Sequence, residues 1–97
     1  MNKKICNAIH NKKIISFVYD GGKRIVEPFC HGISSAGNEV LRGFQVGGYS
    51  KTGNPIGWKL FKVSDMSGIS ITQNVFTGNR PGYNAKDSAM TSICCHI

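Results

Sequence analysis

Asp20-Gly21-Gly22 separates two runs of strand-forming residues, Ile14-Ile15-Ser16-Phe17-Val18-Tyr19 and Lys23-Arg24-Ile25-Val26-Glu27-Pro28-Phe29, and no other feature constrains the chain as much. β-Branched and aromatic side chains suit a pleated backbone, and Asp-Gly supplies the positive φ that a tight hairpin needs. An antiparallel hairpin is predicted, and with it a mainly β fold. Pro28 has no amide to donate, so the second strand should end or bulge there, or lie at a sheet edge.

Ahead of the hairpin, Asn2 can cap a helix over 3–10 in which Ile5, Ala8 and Ile9 share one face. After it, Ser34-Ser35-Ala36-Gly37-Asn38 forms a turn, and Glu39 to Tyr49 reads as a strand. On that strand Val40, Arg42, Phe44 and Val46 share one side, and Leu41, Gly43, Gln45 and Gly47 the other, where another backbone can approach closely. Past the polar loop Ser50 to Pro55, Gly57-Trp58-Lys59-Leu60-Phe61-Lys62-Val63 alternates again. Lys59, Phe61 and Val63 take one side, and Trp58, Leu60 and Lys62 the other. Ile69-Ser70-Ile71 is a short extended piece, Phe76 to Asp87 an ordered loop anchored by Phe76 and Tyr83, and Met90 to Ile97 a closing strand. The expectation is one domain, 1–97, with a helix at 3–10, a small antiparallel β-barrel of about five or six strands over 14–76, and a C-terminal loop and strand over 77–97. Closure is the economical way for so small a sheet to dispose of its edges.

Composition narrows the function. Twelve Lys and Arg against five Asp and Glu give a net charge of +7, which favours anionic partners such as nucleotides, nucleic acid or an acidic protein face. No run of residues is long and apolar enough to span a bilayer, and Met1-Asn2-Lys3-Lys4 is not followed by a signal-peptide apolar stretch, so a cytoplasmic protein is expected. Cys6, Cys30, Cys94 and Cys95 lack the spacing of a secreted disulfide scaffold and are expected as free thiols. Cys30-His31 and Cys94-Cys95-His96 offer metal-ligand types. Strand alternation, however, sends Cys94 and Cys95 to opposite faces, and no metal or other cofactor is expected.

Several segments together resemble the WYL domain family, ligand-binding modules of bacteria and phages built on an Sm-like barrel preceded by a short helix. Ile5 to Phe29 is similar to the family's opening, with Arg24 and Pro28 forming its Arg-x-x-x-Pro segment. The Trp-Tyr-Leu signature would fall on Glu39, Val40 and Leu41, of which Leu41 matches. Lys59-Leu60-Phe61-Lys62-Val63-Ser64-Asp65-Met66 resembles the family's Arg-x-Phe-Arg-Leu-Asp-Arg-Ile, with Phe61 retained, Lys59 and Lys62 where arginines stand, and Asp65 replacing a basic residue. Phe76 resembles the anchor after the barrel's last turns, so the likeness covers roughly residues 4 to 77. It implies an Sm-like barrel that binds nucleotide or nucleic-acid ligands through basic and aromatic residues. The sequence contains neither the helix-turn-helix nor the enzyme to which such domains are fused, so action by binding, by sequestering or on a separate partner is expected.

The residues also argue against catalysis. The acidic residues are scattered, no Ser, His and Asp form a recognisable catalytic pattern, and no Gly-rich loop leads into a helix to cradle phosphate. For an anionic, stackable ligand the candidates are Arg24, Arg42, Lys59, Lys62 and Arg80 for phosphates, with Tyr49, Trp58 and Tyr83 for stacking. Each has a plain structural alternative: Trp58 and Tyr83 suit plugging the barrel's side, and Arg24 suits pairing with Glu27 or Glu39. Arg42, on a side with Val40, Phe44 and Val46, needs a carboxylate, solvent at the rim or a ligand, and a ligand is the expectation. The function expected is a non-enzymatic module binding a nucleotide or single-stranded nucleic acid. The alternative is a protein-interaction module, such as a mobile-element inhibitor of a host factor, and a homo-oligomer fits the apolar Ser92-Ile93-Cys94-Cys95-His96-Ile97 end.

Overall fold

In a computed structural model, which describes residues 2–97, the hairpin forms where its turn residues place it. Strand β1 (Lys13–Tyr19) runs antiparallel to β2 (Gly22–Ser34), with Tyr19 opposite Gly22. Asp20 and Gly21 close the loop with φ of 50° and 78°, the left-handed values of a type I′ turn. The domain expected over 1–97 starts at Met1, which lies outside the described residues. Helix α1 (Lys3–His10) begins at Asn2, whose side chain accepts from the amides of Lys4 and Ile5, and it buries Ile5, Ala8 and Ile9.

The long strand β2 organises the sheet. One edge pairs with β3 (Glu39–Gly48) from Arg24 to Ile33. The other pairs first with β1, as far as Val26, and then with β6 (Met90–His96), from Cys30 onward. Pro28 falls at the seam between these two partners, beside a register shift on the β3 edge, so its missing amide interrupts neither ladder. The strand therefore bulges at the proline and continues.

The full order is β4-β3-β2-β1-β5, with β4 (Gly57–Lys62) and β5 (Ser67–Val75) at its two ends and β6 beside β2. Among the described residues the fold is mainly β, with six antiparallel strands and one short helix, and the sheet does not close into the expected barrel. The physical reason lies at the seam. A 3-10 turn, Val63–Asp65, redirects the chain between β4 and β5, and the Tyr19 hydroxyl accepts the Lys62 amide at 3.0 Å where a ladder would otherwise form. Phe17, Tyr19 and Phe61 fill the space behind it edge to face, at 4.9–6.3 Å between ring centres. Strand β5 is longer than the three-residue piece expected, because its polar Ser, Thr, Gln and Asn side chains lie on an edge and carry no apolar alternation.

On β3 the glycine side faces the core. Leu41 and Gln45 are buried, and a Cβ on Gly43 would lie 2.4 Å from the Val26 side chain, so β2 and β3 pack only with a glycine there. Arg42 and Phe44 consequently face the C-terminal loop. The expectation of free thiols fails for two of the four cysteines: Cys6 on α1 and Cys95 on β6 form a disulfide, while Cys30 and Cys94 are free. The pair is 89 residues apart in sequence with Cα atoms at 5.8 Å, a proximity created by the helix packing on the closing strand.

Phe61 is 2% exposed and belongs to the main core, whereas Lys59 is only half-buried. Phe61→Ala should cost ~3–5 kcal/mol in a denaturant titration. Lys59→Ala should shift stability by no more than about 0.5 kcal/mol.

Candidate functional site

The loop after β5 folds back across the outer face of β2, β3 and β4 and builds a second apolar centre there. Phe29 of β2 meets Trp58, Phe76 and Tyr83 at ring-centre distances of 4.8, 5.3 and 5.1 Å. Trp58 and Tyr83 lie nearly parallel, 20° apart with centres at 6.0 Å, and Phe44 meets Trp58 edge-on at 5.4 Å. The Trp58 indole N–H donates to the Pro81 carbonyl at 2.8 Å. Gly82, at φ 86°, lets the chain turn directly over the indole, since a Cβ there would lie 3.2 Å from Trp58 Nε1. Between loop and sheet lies a groove of about 270 Å³ lined by Arg42, Trp58, Gly82, Tyr83, Asn84, Asp87 and Ser88.

Arg42 has a carboxylate rather than a free guanidinium. Its Nε donates to Asp87 Oδ2 at 2.7 Å and its Nη2 to Asp87 Oδ1 at 3.3 Å, a forked pair on the groove wall. Hydrogen bonding from Arg42 holds the Asp87 carboxyl below its ordinary range, outweighing the opposing effect of burial. Arg80 makes the same kind of fork to the buried Glu27, at 2.8 and 3.0 Å, with its guanidinium 4.2 Å from the centre of the Phe44 ring. Arg24 is 4% exposed: it donates to Gln45 Oε1 and the Tyr19 carbonyl, sits 3.8 Å from Asp20, and lies within 5.4–5.8 Å of the Tyr19, Tyr49 and Phe61 rings. Its carboxylate partner is thus Asp20, not Glu27 or Glu39.

The expected site residues divide accordingly. Arg42, Trp58 and Tyr83 meet in the groove. Arg24 and Lys59 line a separate shallow cleft with Lys51, on the other side of β4, and Tyr49 stacks on Arg24 nearby. Lys62 is exposed, and Arg80 braces the loop against β2. All three arginines are held by carboxylates, so the excess positive charge resides on the lysines. Asp87, Asn84 and Ser88 went unnoticed in the sequence because Asp87 meets Arg42 across 45 residues.

A second cluster lies where α1, β2 and β6 meet. His31 is fully buried, with Nδ1 3.1 Å from Cys6 Sγ and 3.6 Å from Cys95 Sγ, and Cys94 Sγ is 3.9 Å from Cys6 Sγ. On its other side His31 Nε2 meets Glu39 Oε2 at 2.5 Å, and Glu39 also accepts the Asn2 amide at 2.8 Å. Burial opposes ionisation of Glu39, but the hydrogen bonds from Asn2 and His31 prevail and hold its carboxyl below the usual range. The expectation that Cys94 and Cys95 diverge is overturned by a bulge: Cys95 opposes His31 and Ile93 opposes Gly32, leaving Cys94 as the extra residue. Four side chains of ligand type, Cys6, His31, Cys94 and Cys95, thereby offer donor atoms within 4.8 Å of one another. Only Cys30 stands apart, its thiol pushed up to about 11 chiefly by burial.

Asp87 ties stability to pH. Because its folded-state pKa is depressed, the stabilisation is present above the ordinary aspartate range and is lost as pH falls through the folded value. Asp87→Asn should therefore lower the melting temperature at pH 7, and the gap from wild type should close progressively below about pH 4.

Among the described residues no helix is long and apolar enough to cross a membrane. No family model, curated protein or solved structure matches this chain.

Proposed function

We propose that the protein is a non-enzymatic binding module for a nucleotide or single-stranded nucleic acid. The observation that carries this reading is the convergence of Arg42, Trp58 and Tyr83 on one groove, with Asn84, Asp87 and Ser88 adding hydrogen-bonding groups. An aromatic platform edged by donors and acceptors is what a base requires: a face to stack on and partners for its edge. At about 270 Å³ the groove is smaller than the ~300–1,000 Å³ of typical ligand pockets, so a single ring system is the moiety it takes. Phosphates then fall to lysines, since the arginines are already in ion pairs. Lysine is a mobile point charge, which gives salt-sensitive affinity with little geometric selection. The resemblance to WYL domains supports the same ligand class. In the same reading the open sheet is a relative of the Sm-like barrel in which Tyr19 and Phe61 side chains stand where a β4–β5 ladder would close it, and the protein works in the cytoplasm.

Trp58 is the only tryptophan, so its fluorescence reports on the groove directly. Titration with single-stranded oligonucleotides should quench it saturably, with affinity falling as salt rises, and Tyr83→Ala should cost ~1–3 kcal/mol of binding. Absence of saturable binding to any oligonucleotide or cyclic nucleotide at low salt refutes the reading.

One observation favours a protein-interaction module as a second reading. Among the described residues strand β5 pairs only with β1, and it exposes Ile71 and Val75, the latter by 65%, along an open edge. Such an edge can accept a strand from a partner protein, such as a host factor blocked by a mobile element, or from a second copy of this chain. A partner retained through nuclease treatment, by a protein that binds no nucleotide, supports that reading.

A further inference from the structure

We propose that the reduced protein binds one zinc ion through Cys6, His31, Cys94 and Cys95, and that the Cys6–Cys95 disulfide is the oxidised, metal-free state of the same site. Three thiolates and one imidazole form a closed structural zinc set. Zn–S and Zn–N bonds of about 2.3 and 2.0 Å place tetrahedral ligand atoms about 3.5–3.8 Å apart. The separation between His31 Nδ1 and Cys95 Sγ, 3.6 Å, lies at that spacing, that between Cys6 Sγ and Cys94 Sγ, 3.9 Å, is just above it, and His31 Nδ1 to Cys6 Sγ, 3.1 Å, is below it.

The disulfide by itself does not account for what surrounds it. In the tautomer whose proton sits on Nε2 and is donated to Glu39, His31 directs the Nδ1 lone pair at Cys6 and Cys95, whose sulfurs carry no proton while they are bonded to each other. In that tautomer a buried imidazole nitrogen faces two groups that cannot donate to it. A metal ion satisfies that lone pair, and the Glu39–His31 contact is the carboxylate–imidazole arrangement that orients metal-binding histidines. The bulge adds Cys94, which the disulfide does not use, to the same side. Gly32 makes this approach possible, since a Cβ there would lie 2.1 Å from the Ser92 carbonyl oxygen of β6.

The two states interconvert by ordinary chemistry. A thiol reductant supplies two electrons and two protons to the Cys6–Cys95 bond, giving two cysteine thiols, and two reductant thiols leave as their own disulfide. Zinc then displaces the protons of the three cysteine thiols and takes the neutral His31 as its fourth ligand. In the reverse direction a low-molecular-weight disulfide takes two electrons from the Cys6 and Cys95 thiolates and, with two protons, leaves as two thiols, while Cys94 takes up a proton and the ion is released. Both end states, disulfide and zinc-bound, link α1 to β6.

The test uses the full chain reduced with a phosphine, so that no competing thiol is present, and titrated with Co²⁺ and then Zn²⁺. One Co²⁺ per chain should bind with thiolate-to-cobalt charge transfer and the intense visible bands of a tetrahedral site, and Zn²⁺ should displace it. Cys94→Ser spares the disulfide, so its oxidised form should fold as wild type does, while its reduced form loses affinity and charge-transfer intensity. Glu39→Gln should weaken zinc binding about 10–100-fold while leaving the ligand set intact. Reduced protein that takes up no stoichiometric metal overturns the proposal, as does Cys94→Ser protein that binds as tightly as wild type. Neither result bears on nucleotide binding, which involves a different face.

Discussion

The pairing of β2 along both of its edges is the constraint on which the rest of the molecule depends. A strand of 13 residues is long for so small a protein, and it holds three neighbours: β3 on one side, then β1 and β6 in succession on the other. Both candidate sites are by-products of that arrangement. Where β1 gives way to β6, Phe29 becomes the floor of the aromatic cluster under the C-terminal loop. Three residues further along, Gly32 admits the bulged β6 so closely that Cys94 and Cys95 reach the cysteine of the helix.

The charges follow a division of labour. Asp20, Glu27 and Asp87 are each committed to an arginine and Glu39 to His31, and these contacts fasten loop to sheet and hairpin to core. Arginine suits this structural task, because its planar fork matches a carboxylate and its face packs on aromatic rings, as Arg24 and Arg80 both do. The lysines are left to set the surface potential. Net charge, which first draws attention to anionic partners, is therefore a property of flexible side chains and not of the built groove. In the proposed binding role, recognition in the groove rests on shape and hydrogen bonding, with charge setting encounter rate and salt response.

Local signals in the sequence carried over well. The Asp20-Gly21 turn, the Asn2 cap and the apolar face of Ile5, Ala8 and Ile9 all depend on neighbours a few residues apart, and each forms as read. So does the division of β4, with Phe61 in the core and Trp58 on the outer side. What escaped depends on distant partners or on register. Arg42 looked uncomfortable on its strand because Asp87 is invisible at 45 residues' distance. Closure failed at a seam that a single tyrosine hydroxyl occupies. The alternation rule, right for regular strands, misjudged Cys94 and Cys95 because one inserted residue cancels it, and nothing in Ser92-Ile93-Cys94-Cys95 announces a bulge.

The bond between Cys6 and Cys95 also determines how the molecule would carry tension. The disulfide joins α1 to β6, so tension applied across these two elements passes from one sulfur to the other and bypasses the sheet. The hydrogen-bonded ladders between them bear no load, and the protein would behave as a short, stiff tether. Cutting that link with no metal in its place would transfer the force to the β2–β6 ladder, which would unzip a few hydrogen bonds at a time. Whether α1 and β6 are linked at this one point would thus decide whether the domain resists stretching or unravels.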